Sequence, residues 1–321
     1  MKKVAITGIN GQVGATLAKL YLQNNYEVYG LIRRSSVFNT KRIDNILDKL
    51  NIMYGDLSDS LSLFNFVKKA KPDIFINTAA MSHVRVSFDI PEYTMDVTGT
   101  GVVRCLEVLK NEKPDTKFIQ MSSSEMFGSA PPVQNENTKF QPQSIYAAAK
   151  IAGYYSVINY RNAYNMNASN AICFNTESEL RGETFVTRKI TRACTRIKLG
   201  LQNELYLGNI EALRDWTYCL DTCNAIYKMS ISDTPNDYCI CSGNSHSIKE
   251  FLEYSFDKLN LNYKDYVKFS SKYLRPTEVD HLCGSYNKIK NNLGWEPTVN
   301  FHQIIDIMLE HDFKLAKNES G

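Results

Sequence analysis

The chain has 321 residues, 43% of them hydrophobic and 22% charged, with a formal net charge of +3. These values fit a soluble globular protein with room for one large α/β domain and a smaller lobe; no repeat or low-complexity segment interrupts it. The small charge excess gives no basis for nucleic acid or a membrane surface as partner, and with no long apolar run and no signal-peptide pattern the cytoplasm is the expected location.

The first apolar run, Lys3–Thr7, predicts a strand. It enters Thr7-Gly8-Ile9-Asn10-Gly11-Gln12-Val13-Gly14 and then a helical pattern through Leu17, Leu20 and Tyr21. Glycines at 8, 11 and 14 between strand and helix suit a turn whose bare backbone N–H groups approach a pyrophosphate. The strand Glu27–Ile32 follows and ends in Arg33-Arg34-Ser35-Ser36. An acidic residue at this point holds a ribose 2′-hydroxyl; arginines and hydroxyls suit a 2′-phosphate instead, which favours NADP over NAD. A solvated basic loop is the plainer alternative.

The next strand ends at Met53-Tyr54-Gly55-Asp56-Leu57. Asp56 suits an adenine amino group, or caps the helix that starts near Ser60. Ile74–Asn77 reads as a fourth strand leading into Thr78-Ala79-Ala80, small residues that let backbone lie against a cofactor. A helix over Tyr93–Leu109 and a fifth strand over Lys117–Met121 follow. That strand delivers Met121-Ser122-Ser123-Ser124-Glu125, and Tyr146-Ala147-Ala148-Ala149-Lys150 lies beyond. Tyr and Lys four apart share one face of a helix, where an ammonium lowers a phenol pKa and makes a base. The same spacing also occurs on ordinary surface helices. The helix over Tyr146–Tyr160 leads to a sixth strand, Ala168–Phe174. Strands alternating with helices predict a doubly wound parallel sheet with its ligands at the carboxyl ends of the strands.

Beyond Asn175 the alternation loosens. Helices are predicted near Val186–Leu199, Asp221–Met229, Ser247–Leu259 and Phe301–Leu315, with a frayed end over Lys317–Gly321. The eight cysteines lie mostly in apolar settings and lack paired zinc spacing, so they read as core residues, with no metal and no disulfide.

Several longer segments carry more information than the glycines. They include Arg33-Arg34-Ser35-Ser36-Val37-Phe38-Asn39-Thr40, Ser82-His83-Val84-Arg85-Val86-Ser87-Phe88-Asp89, Phe185-Val186-Thr187-Arg188-Lys189-Ile190, Leu213-Arg214-Asp215-Trp216 and Arg275-Pro276-Thr277-Glu278-Val279-Asp280. On these the chain resembles the extended short-chain dehydrogenase/reductases, and within them the GDP-mannose 4,6-dehydratase family, from Lys3 to about Leu315. The resemblance implies an α/β, Rossmann-type fold. Residues 1–174 would form the NADP-binding domain, and 175–321 mainly the nucleotide-sugar lobe, with some segments returning to the main sheet.

It also implies a role for each matching residue. Tyr146 removes the proton of the sugar C4 hydroxyl, Lys150 lowers the Tyr146 pKa and holds the nicotinamide ribose, Ser123 bonds the C4 oxygen, and Glu125 takes the C5 proton and helps the C6 hydroxyl leave. Cofactor contacts fall on Thr7, Gly8, Gly11, Gln12, Val13, Gly14, Arg33, Arg34, Ser35, Asp56, Leu57 and Ala79, besides Tyr146 and Lys150. Contacts to a GDP-linked sugar fall on Ser82, Ser87, Asn175, Val186, Lys189, Arg214, Arg275 and Glu278. A homodimer or homotetramer is implied as well. Plainer readings stay open: a turn or cap for Ser123 and Glu125, and surface ion pairs for Arg214 and Arg275. The chain departs from the family at Thr176, Glu179, Leu180 and Val13, beside the sugar or in the glycine loop. Another hexose or a manno-heptose is therefore an alternative substrate, and an epimerase, decarboxylase or reductase an alternative activity.

Overall fold

The computed structural model describes residues 1–320. In chain order the elements are β1 (Lys3–Thr7), α1 (Gln12–Gln23), β2 (Glu27–Ile32), β3 (Leu50–Tyr54), α2 (Ser60–Ala70), β4 (Ile74–Asn77), α3 (Pro91–Met95), α4 (Gly101–Glu112), β5 (Lys117–Ser123), α5 (Ile145–Tyr164) and β6 (Ala168–Cys173). They continue with β7 (Asn175–Glu177), α6 (Val186–Lys198), β8 (Leu205–Leu207), β9 (Leu213–Tyr218), α7 (Cys219–Ile231), β10 (Tyr238–Ile240), β11 (Ser245–Ser247), α8 (Ile248–Asp257), β12 (Val267–Phe269), α9 (Asn287–Leu293) and α10 (Phe301–Ser320).

Seven strands make one sheet in the order β10-β6-β5-β4-β1-β2-β3, with every pairing parallel. The order reverses between β1 and β4, which opens a crevice above their carboxyl ends. Buried strand residues such as Val4, Ile6 and Ile76 pack on one face against Leu17 and Tyr21 of α1 and Ile226 of α7. On the other face Ala5, Phe75 and Phe118 pack against Phe66 of α2, Leu106 of α4 and Val157 of α5. Both faces of the sheet are thus covered, as continuous apolar strands require. A third core, where Trp216 stacks 5.5 Å from Phe301, joins α6, α8 and α10. β10 joins the main sheet beside β6.

Three expectations needed correction. The helix predicted over Tyr93–Leu109 is α3 and α4 joined by a π turn over Asp96–Thr100, in which Thr98 Oγ1 accepts from the Met81 N–H at 3.1 Å and ties the helix to the loop after β4. Asp59, not Asp56, caps α2, accepting from Leu61 N–H at 3.0 Å; Asp56 instead accepts from Ser58 N–H at 2.9 Å inside the preceding turn. α10 continues through Ser320 rather than fraying at Lys317, because Arg192 and Arg196 pair with Glu319; Gly321 lies outside the described residues. All eight cysteines are buried and free.

Candidate functional site

The glycine turn is held shut by its own backbone. Gly8 sits at φ +64°, a region glycine enters without strain. A Cβ on Gly14 would stand 2.4 Å from the Gly8 carbonyl oxygen, so only glycine fits there. Beneath the turn, Thr7 donates to Asn77 at 2.5 Å and accepts from the Ala79 N–H at 3.2 Å. The result is a bare-backbone cradle at the start of α1, where free N–H groups and the helix dipole favour an anion.

β5 ends at Ser123, whose Oγ accepts from the Glu125 N–H at 3.2 Å and starts a short turn. The turn reading of Ser123 therefore holds, and the same hydroxyl also bonds Tyr146. Ser144 caps α5, accepting from Ala147 N–H at 3.1 Å, so Tyr146 falls in the first turn and Lys150 one turn further on the same face. Lys150 Nζ donates to the Met121 carbonyl at 2.6 Å.

Burial dominates the electrostatics here. It pushes the Tyr146 phenol up to about 12, against the Ser123 hydrogen bond and with help from the Glu125 charge. It pulls the Lys150 ammonium down to about 8. The expected lowering of Tyr146 by Lys150 does not appear, because the ammonium donates to the Met121 carbonyl and lies 5.8 Å from the phenol ring centre.

One cavity of about 320 Å³ brings these groups together: it is lined by Gly8, Gly11, Gln12, Val13 and Gly14, and equally by Ser82, Ser123, Glu125, Tyr146, Lys150, Asn175 and Arg275. Arg275 is 3.4 Å from both Glu125 and Glu278, and Glu278 is 3.0 Å from buried Arg214, so an alternating chain of charges runs into the cavity. Burial lowers the Arg214 pKa, and the surrounding carboxylates counter it.

Other predicted residues stand apart from this cavity. Thr7 and Ala79 support the cradle from below. Leu57 is buried, Arg33 donates to the Tyr93 hydroxyl at 2.7 Å, Arg34 is exposed, and Ser35 accepts from Val37 N–H at 3.3 Å. The Ser87 hydroxyl is turned back onto the Val84 carbonyl at 2.6 Å. Val186 opens α6. Lys189 lines a second cavity of about 340 Å³, donating to the Tyr206 carbonyl at 2.5 Å and lying 3.4 Å from the Tyr273 ring centre.

Two cationic residues of the cavity escaped sequence reasoning. Arg181 lies 3.3 Å from Glu177 and stacks 3.8 Å from the centre of the Phe185 ring. Its position four residues after an acid, and four before an aromatic, was the available signal. Arg42 lines the same cavity from a basic stretch of the loop after β2.

The family model for GDP-mannose 4,6 dehydratase matches residues 5–308. The chain belongs to the GDP-mannose 4,6-dehydratase family. It is 49% identical over 331 residues to GDP-mannose 4,6 dehydratase 1 of Arabidopsis thaliana, covering 99% of this chain and 92% of the relative. To the Homo sapiens GDP-mannose 4,6 dehydratase it is 41% identical over 340 residues, covering 97% and 91%. Among solved structures, the dTDP-glucose 4,6-dehydratase of Bacillus anthracis in complex with NAD aligns with a TM-score of 0.85 at 22% identity over 100% of this chain and 98% of that one. RMD from Pseudomonas aeruginosa complexed with NADPH gives 0.81 at 22%, over 98% and 100%. At such identities these structures speak for the fold alone.

Proposed function

We propose that this chain is a GDP-mannose 4,6-dehydratase that works with NADP and leaves it unchanged after each turnover. Identities of 40–49% to dehydratases of that name over nearly the whole chain support the reaction and the substrate. The observation that carries the chemistry is the convergence of Ser123, Glu125, Tyr146 and Lys150 on the cavity that also holds the glycine cradle. Arg33, Arg34 and Ser35, with no carboxylate at the end of β2, support NADP over NAD.

The bound nicotinamide supplies a hydride acceptor for C4 and later a hydride donor for C6. The protein does the rest. Tyr146 accepts the proton of the C4 hydroxyl, and Ser123 holds that oxygen. Once C4 is a ketone, the C5 proton is acidic; Glu125 takes it, and the C6 hydroxyl, protonated as it leaves, departs as water. A proton returned to C5 completes GDP-4-keto-6-deoxymannose. A plain epimerase needs no such second acid–base group beside the ring. Arg275 and Arg214 fit the diphosphate of the substrate through bidentate bonds.

Incubating the protein with GDP-mannose and catalytic NADP tests the reading. A product lighter by one water, with no net nicotinamide turnover, is expected; stoichiometric NADPH formation or consumption, or an unchanged mass, would defeat it.

A further inference from the structure

Arg42 is a cation with no carboxylate in contact, Glu183 acting on it only from a distance. It lines the main cavity, yet it makes no ion pair among the described residues. Its hydrogen bonds go to neutral carbonyls of two different segments: Nε donates to Leu180 at 2.7 Å and Nη1 to Asn10 at 3.4 Å. Asn10 is itself part of the glycine turn, and its Nδ2 donates to the Asn39 carbonyl at 3.1 Å. A second tie runs parallel. The buried Gln12 amide donates to the Thr176 carbonyl at 2.9 Å and accepts from the Ser178 hydroxyl at 2.8 Å. The cradle, the loop after β2 and the 178–182 turn are thereby sewn together at one edge of the cavity. Half-burying an arginine with no carboxylate in contact costs solvation, and that cost is relieved when an anion arrives. Burial pulls its pKa down, with Arg188 adding to the effect and Glu183 opposing it, but a guanidinium remains charged.

We infer that Arg42 is the clasp of the dinucleotide groove: it joins the loop after β2 to the 178–182 turn and sets a fixed positive charge beside the glycine cradle for the cofactor diphosphate. This rests on the reading of that cradle as a nicotinamide dinucleotide site and adds a residue to it. Arg42 is a positioning residue as well as a phosphate contact, because the turn it holds also carries Arg181, which lines the sugar end of the same cavity.

The test is equilibrium titration of nucleotide-free full-length protein with NADP at several NaCl concentrations. R42A is expected to weaken binding about tenfold or more, the scale of one charge-assisted bond, and to flatten the salt dependence, since a charge contact has been lost. R42K keeps the charge and loses the fork; it should keep the wild-type salt dependence and recover part of the affinity. It also carries the test if R42A fails to fold. Wild-type affinity in R42A, or weakened binding with an unchanged salt dependence, overturns the inference; so does R42K with the flattened salt dependence expected of R42A. Failure of the wild-type chain to bind any nicotinamide dinucleotide would instead defeat the proposed function.

Discussion

The Glu125 carboxylate lies 3.4 Å from the Arg275 guanidinium, a residue 150 positions further along the chain. On the proposed reading, Glu125 takes a proton from carbon and Arg275 meets the substrate diphosphate, so the base is held by the cation that receives the substrate. On that reading the pair would link substrate arrival to the release of the base, because a phosphate engaging Arg275 would compete with Glu125 for it.

Glu125→Gln is therefore expected to stop elimination while sparing oxidation. The amide keeps the shape and a contact to Arg275 but cannot take the C5 proton. Dehydration should fall by about 10²- to 10⁴-fold, the usual contribution of a positioned acid or base. Deuterium incorporation at C5, followed by NMR in D2O, should vanish with it. Brisk exchange in the variant would remove Glu125 from this role.

Tyr146→Phe tests the first step. The ring still fills its buried position beside Ala147 and Ala149, so the fold and the NADP affinity should hold within about twofold, while C4 oxidation falls on the same 10²- to 10⁴-fold scale. Burial pushes the phenol up to about 12, which favours its protonated form. Near-wild-type turnover in the variant would mean another group is the base.

Much of this site was legible in the sequence because its parts are local. Gly8, Gly11 and Gly14 lie within one turn, and Tyr146 and Lys150 within one turn of α5. The alternation of strand and helix fixed the carboxyl-end crevice, and a buried parallel sheet admits few other orders. What was hidden depends on contacts across long separations. Arg42 reaches Leu180 across 138 residues, and Arg275 reaches Glu125 across 150. No period or spacing marks such a pair. The Tyr146 pKa was misjudged for a related reason: two side chains on one helix face are near in sequence, but a backbone carbonyl of β5 captured the lysine first.

Gly14→Ala should break the cradle. The added methyl would sit 2.4 Å from the Gly8 oxygen and 2.7 Å from Ile9 Cα, both backbone, so the turn must open. Overpacking of this kind costs about 1–3 kcal/mol, and NADP affinity should fall by at least about tenfold. Calorimetric titration decides it: an affinity equal to the wild type would show that the backbone at this turn does not approach the ligand.

Asp215 gives a pH signature of the wall behind Arg214. Its buried carboxylate accepts from Ser242 N–H and Oγ–H, each at 2.7 Å, from Gly243 N–H at 3.0 Å and from Gly284 N–H at 3.1 Å. These donors favour the ionised form, but burial outweighs them and the group rises from 3.8 to about 6. A folded-state value above the unfolded one means that folding favours the protonated form. The stabilisation is complete below the unfolded pKa and is lost as pH rises through about 6. At 1.36 kcal/mol per unit this amounts to about 3 kcal/mol across the window. Asp215→Asn does not titrate, and its amide group faces N–H donors, so the variant should be less stable at every pH. The wild-type advantage, read from urea midpoints, should shrink between pH 4 and pH 7. Because Asp215 also fixes the Ser242–Gly243 turn and Gly284 around β9, next to Arg214, the variant should raise KM for the nucleotide sugar more than it lowers kcat. A pH-independent advantage would mean that Asp215 ionises in the folded chain as easily as in water, and that burial does not govern this site.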